Sequence, residues 1–205
     1  MSAPTNLKVT EAQRQLSRFL AQSRTRSHEG TRRPEADLGD ASKQEHLEYF
    51  GSLGEIVLLE ATERDCLLHG KPFPAKFKLW LEGSCPDPDI ITPTMRLDIK
   101  TLPPGWNWLN INKAKNDGPD SPDYYLAVAF SDEKTAKLLH PISPATVRQW
   151  PQATMHSGLY GVDLRNVRLP YYEGDLWRLV NTPRIKKPLL VATPSAVLSQ
   201  HSAAI

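Results

Sequence analysis

The stretch "PDPDIITPTMRLDIKT", Pro86 to Thr101, sets "DII" and "MRLDIKTL" on either side of "TPT". Two β-prone runs separated by Pro and Thr predict paired antiparallel strands joined by a tight turn. Closing the hairpin around Pro93-Thr94 brings residues 91 and 96 opposite each other, then 90 and 97, then Asp89 and Asp98. The Cβ atoms of directly opposed residues stand about 4.5–5.5 Å apart, a spacing at which like charges repel. Alternation along the strand puts Lys100 on the face of Asp98, about 6–7 Å further along, and turns Leu97 and Ile99 into the core. Two carboxylates and one ammonium thus meet at one end of a sheet. Either this pairing does not form or something positive lies between the acids.

Such a cluster matches the needs of phosphodiester hydrolysis. Paired carboxylates hold a hard divalent cation such as Mg2+. The cation polarises a phosphoryl oxygen and generates a nucleophile from water near neutral pH. A lysine beside it orients that water and offsets charge gathering on the phosphate.

The same residues resemble the hallmark of the PD-(D/E)XK nuclease superfamily: an acid ending one strand, a short turn, then acid-x-Lys on the next. The resemblance makes Asp89 the first acid, Asp98 the second and Lys100 the lysine. Asp87, preceded by Pro86, is the rival first acid, and Asp89 is preferred because "DII" gives it a strand on which to be held. The family carries a glutamate on the preceding helix, and "GSLGEIVLLEATERDCLLHGK" is similar to that helix, with Glu55 the best match and Glu60 and Glu63 as alternatives. "WNWLNIN" and "DYYLAVAF" resemble the family's next two strands, so the likeness covers about residues 50–170. D-x-K alone is a weak motif; the upstream acid, the Glu-bearing helix and the order of elements give it weight. This chain has Asp where most members have Glu before the lysine, a variation that the family permits.

The resemblance implies an α/β fold with a restriction-endonuclease-like mixed β-sheet core flanked by helices. It also implies a Mg2+-dependent endonuclease acting on DNA, with Mn2+ able to substitute. Asp89 and Asp98 would bind metal, Glu55 would complete the coordination shell or orient water, and Lys100 would position the nucleophile.

Composition frames that expectation. The 205 residues, 40% hydrophobic and 23% charged, suit one domain with appendages. Cys66 and Cys85 form no C-x-x-C pair and no zinc spacing with the six histidines, which argues against a disulfide framework and for a reducing compartment. Lys8, Glu11, Arg14 and Arg18 interrupt the opening residues, unlike a signal peptide. No apolar run reaches the roughly 20 residues of a membrane span, so a soluble cytoplasmic protein is expected. Neither a Gly-rich phosphate loop nor a G-x-S-x-G elbow is present, against NTPase and serine-hydrolase chemistry. Residues 1–33 carry seven Lys/Arg against two Glu, a local +5, whereas the rest carries 18 basic against 21 acidic residues, a local −3. A basic excess of this kind does not by itself announce nucleic-acid binding.

Three zones follow. Residues 1–43 hold a short amphipathic helix, "TEAQRQLSRFLAQ", and a polar basic linker expected to be flexible. Thr10 with Gln13 predicts a capping box, and Leu16, Phe19 and Leu20 are expected to share the apolar face. A flap packed on the domain and a partner-docking helix fit this segment equally. Residues 44–180 form the α/β domain: a helix ended by Gly70, then strands at "AKFKLWLEG", "DII", "MRLDIKTL", "WLNIN" and "YYLAVAF", the last central and buried. A short helix capped by Ser143-Pro144 and a late strand in "GLYGVDLRNVRL" complete it. Residues 181–205 read as a C-terminal tail.

Trp106 and Trp108 fit a strand or core more readily than a base-stacking platform. Asn110, Asn112 and Lys113 offer polar groups near the site without a distinctive pattern. His69, His140 and His156 lack ligand spacing, and Cys66 reads as core. A second reading has a non-catalytic interaction subunit of the same fold. In either case the N-terminal helix or the tail is the expected contact to a protein partner or a second copy.

Overall fold

The computed structural model describes residues 5–27, 41–74, 76–77, 89–150 and 158–181. In order these form β1 (Asn6–Lys8), α1 (Glu11–Ser27), α2 (Ala41–Leu68), β2 (Lys76–Phe77), β3 (Ile90–Ile91), β4 (Arg96–Leu102), β5 (Trp108–Asn112), α3 (Lys113–Asp117), β6 (Tyr124–Phe130), β7 (Thr135–Leu138), α4 (Pro144–Val147), β8 (Leu159–Asp163) and α5 (Leu176–Asn181). The chain is α/β, with a mixed sheet flanked by helices. Asp87, Cys85, His156, most of "AKFKLWLEG", residues 28–40 and residues 182–205 lie outside the described residues.

The turn at "TPT" is held by Thr92. Its N–H donates to the Met95 carbonyl at 2.8 Å, and its hydroxyl accepts from the Met95 N–H at 2.9 Å. The hairpin keeps the expected register, Ile91 opposite Arg96 and Ile90 opposite Leu97. The main sheet runs β1-β7-β6-β4-β3-β2, with β4 and β6 parallel and the other neighbours antiparallel. β6 lies between β4 and β7 and is buried along nearly its whole length, as its unbroken apolar run predicts. β5 forms at "WLNIN" as expected. It pairs with β8 in a separate two-stranded sheet and is not a neighbour of β6.

The two faces of β4 divide the core. Leu97 and Ile99 pack with Phe50, Leu53 and Val57 of α2, and Leu102 packs on the other side with Leu109, Tyr125 and Val162. Asp98 and Lys100 alternate with Leu97 and Ile99, so they point toward the β5–β8 side. α2 is apolar around much of its girth because it lies between the sheet and α1. Gly54 permits its close approach: a Cβ there would stand 2.6 Å from Thr101 Oγ1 on β4. Gly51 and Gly54 do not split the helix. It ends in a Schellman motif, with Gly70 at φ +60 and Lys71 N–H donating to the Cys66 carbonyl at 2.8 Å.

The N-terminal segment is part of the domain. β1 pairs with β7 and α1 packs on α2, the packed alternative of the two. Its capping box forms as expected: Gln13 N–H donates to Thr10 Oγ1 at 3.2 Å, and Thr10 N–H to Gln13 Oε1 at 2.7 Å. The buried face differs from the apolar stripe. Gln13, Ser17, Leu20, Ala21 and Arg24 face inward, while Leu16 and Phe19 are 41% and 61% exposed. The reason is polar pairing with α2: Gln13 Nε2 donates to Glu60 Oε2 at 2.6 Å, and Arg24 binds Glu55. No helix among the described residues is long and apolar enough to cross a membrane.

Candidate active site

Asp98 lies opposite Tyr125 in the parallel β4–β6 pairing and is fully buried. Each of its oxygens faces an ammonium. Lys100 Nζ sits 2.7 Å from Oδ2, an ion-pair contact off the line of a hydrogen bond. Lys115 Nζ donates to Oδ1. Burial pushes the carboxyl up, and the charges of Lys100 and Lys115 overcome it, leaving Asp98 below its ordinary value. Burial likewise pulls Lys100 down, but Asp98 and Asp89 win and raise it, so this amine stays charged.

Asp89 stands one residue before β3, next to Asp98 by extension of the hairpin register. Its Oδ2 accepts a hydrogen bond from the Ile99 N–H at 2.5 Å. Burial, then the charges of Asp98 and Glu55, push its pKa up to about 7; Lys100 and the Ile99 N–H oppose them. The repulsion anticipated between the acids is therefore met in two ways. Ammonium groups compensate Asp98, and Asp89 holds its proton more tightly.

That difference predicts a pH dependence. An unfolded Asp89 loses its proton near pH 4 and the native one near 7. Between these values the native state binds more protons, so this group's contribution to stability falls as pH rises and is fully lost above about 7. Asp98, shifted down, changes only at lower pH. In cation-free buffer, Asp89→Asn is expected to remove much of the decline between pH 5 and pH 8, a difference of a few kcal/mol. Urea unfolding at the two pH values measures it, and an unchanged decline in the variant would exclude Asp89 as its source.

Glu55 comes from α2, the other side of the sheet from Asp98, and its charge helps raise the pKa of Asp89. Arg24 of α1 grips it with both arms, Nη1–Oε1 at 3.3 Å and Nη2–Oε2 at 3.0 Å. Burial lowers the Arg24 pKa, and Glu55, Glu48 and Asp89 reverse that and raise it. The alternatives to Glu55 lie elsewhere: Glu60 binds Gln13 and Glu63 is exposed.

Asp89, Asp98, Lys100 and Glu55 are thus brought into one electrostatic neighbourhood. Sequence reasoning missed Lys115 and Arg24, 17 residues after Asp98 and 31 before Glu55. No spacing rule links them. Tyr125 was read only as part of a buried strand; its hydroxyl is buried without a hydrogen-bond partner among the described residues, and its ring lies 6.0 Å from Lys100 Nζ. As the side chains stand, no three of His, Cys, Asp or Glu converge closely enough to hold a metal ion among the described residues. Arg24 and the two lysines occupy the oxygens of Glu55 and Asp98.

The neighbouring residues take structural roles. Asn112 caps α3 through the Lys115 N–H at 3.3 Å, and Lys113 Nζ lies 5.2 Å from the Tyr160 ring centroid. Asn110 Oδ1 is buried without a hydrogen-bond partner among the described residues. Trp108 opens β5 opposite Asp163, the strand placement expected, and Trp106 precedes it; both are about two-fifths exposed, so neither is core. His69 pairs with Asp65, His140 packs edge-on against Tyr172, and Cys66 is buried beside Asn181. Comparison of the chain with protein-family models, curated proteins and solved structures returned no match.

Proposed function

We propose that this protein is a divalent-cation-dependent endonuclease that hydrolyses DNA phosphodiester bonds, with a restriction-endonuclease-like core. The observation that carries the reading is the juxtaposition of Asp89, at the foot of β3 and bonded to the Ile99 N–H, with Asp98 on β4 and the Lys100 ammonium 2.7 Å from Asp98. Two hard oxygen donors side by side suit Mg2+ or Mn2+. Asp89 and Asp98 would hold the cation, with Glu55 completing the shell or orienting water once Arg24 shares it.

Bound there, the cation would polarise the phosphoryl oxygen and make water a nucleophile near neutral pH. Lys100 does not take up a proton, because Asp98 and Asp89 keep it charged. It instead donates hydrogen bonds, aligning the attacking water and offsetting charge on the phosphate. The buried sheet behind the carboxylates lowers the local dielectric and strengthens each of these contacts.

The test is supercoiled plasmid incubated with Mg2+ or Mn2+, with EDTA as control. Wild type is expected to nick or linearise it only with cation, and Lys100→Ala to act at least about 100-fold more slowly. Cleavage by Lys100→Ala at the wild-type rate would remove the assignment. The second reading, a non-catalytic subunit, is favoured by Phe19 and Leu16 standing exposed on α1. In that case a partner complex forms without metal and tolerates loss of the acids.

A further inference from the structure

Neutralising one carboxylate requires one ammonium, and Lys100 supplies it. Lys115 is a second one, on an element that is firmly anchored. α3 is capped by Asn112, and fully buried Asn116 donates through Nδ2 to the Pro144 carbonyl at 3.4 Å. Asp117 accepts from Arg148 Nε at 2.9 Å and from the Tyr160 hydroxyl at 2.8 Å, tying α3 to the end of α4 and to β8. The anchoring holds the backbone of Lys115 still while its long side chain, 21% exposed, reaches Asp98 Oδ1. Two ammonium groups kept close together repel unless Asp98 or another anion stands between them.

The oxygen that Lys115 holds is one that a divalent cation would need. We propose that Lys115 is a substrate-contacting residue: its ammonium fills the cation's place at Asp98 Oδ1 in the free protein, gives up that oxygen on cation binding, and turns to a phosphate oxygen of the nucleic-acid backbone. The assignment rests on the nuclease reading and deepens it. Lys100 sits beside Oδ2 on the strand itself, whereas Lys115 reaches Oδ1 from a separate element, α3, with 21% of its side chain exposed. With a divalent cation added, the site gains positive charge that a phosphodiester balances, so cation and DNA bind cooperatively.

The test uses the full chain, as wild type, Lys115→Met and Lys115→Arg, each checked for folding by urea unfolding. Mn2+ titration by calorimetry is expected to show about tenfold tighter binding by Lys115→Met, because the competing ammonium is gone. Anisotropy of a labelled DNA duplex is then read in EDTA and in Ca2+, chosen as a non-cleaving cation. Lys115→Met is expected to lose about tenfold affinity in Ca2+ and little in EDTA, and Lys115→Arg to retain most of the Ca2+-dependent binding. A purely charge-balancing lysine would alter Mn2+ affinity while leaving the Ca2+-dependent DNA affinity at the wild-type level, and that result overturns the proposal. If wild type cleaves plasmid and Lys115→Met cleaves equally fast, the role of Lys115 falls and the nuclease reading stands. If wild type binds neither Mn2+ nor DNA, both fall together.

Discussion

Asp98→Asn is expected to abolish cation-dependent cleavage, by about 1,000-fold or more, and to destabilise the fold even without cation. The carboxylate is fully buried, and the amide that replaces it leaves Lys100 and Lys115 facing each other with no anion between them. Removing one partner of a buried pair commonly costs about 3–5 kcal/mol. Both lysines keep part of their surface in water, at 27% and 21% side-chain exposure, so about 2–4 kcal/mol is expected here. Urea unfolding of wild type, Asp98→Asn and Asp98→Asn/Lys115→Met measures it, the double variant recovering part of the loss because one stranded charge is gone. A single variant as stable as wild type would show that the ion pairs do not hold this part of the sheet.

Arg24→Ala is expected to produce a loss of similar size at the other side of the cluster. Glu55 is 17% exposed and its two oxygens are satisfied by one guanidinium, so truncation leaves a largely buried carboxylate close to Asp89. About 2–4 kcal/mol of stability should go, with the unfolding midpoint as the readout. Glu55→Gln in the same chain is expected to restore about half. Arg24→Lys keeps the charge but not the two-armed grip, so it should weaken the fold by only about 1 kcal/mol. If Arg24→Ala leaves the midpoint unchanged, Glu55 has another counter-ion and α1 is not needed for the site.

Features governed by neighbouring residues were legible in the sequence. The hairpin register follows from "DII", "TPT" and "RLD", the central strand from "YYLAVAF", and the start of α1 from Thr10 and Gln13. Contacts between distant elements were not. The periodicity of α1 singled out Leu16, Phe19 and Leu20 as its buried face, yet two of the three are exposed because Arg24 and Gln13 find acids on α2. "WLNIN" reads as a strand in any context, and only the packing of β8 assigns it to a second sheet. The motif acids and Lys100 could be named because a hairpin brings them together locally. Lys115 could not, since nothing in "NKAKND" says which residue its side chain will meet.

The pairing of β1 with β7 has a consequence for where the protein can be shortened. A chain beginning at residue 44 would lose the counter-ion of Glu55 along with three residues that shield the β7 border. The backbone amides and carbonyls uncovered there would be open to strands of other molecules, a route to self-association. A chain that keeps this border covered has to include Asn6–Lys8, and the opening segment behaves as a structural clasp.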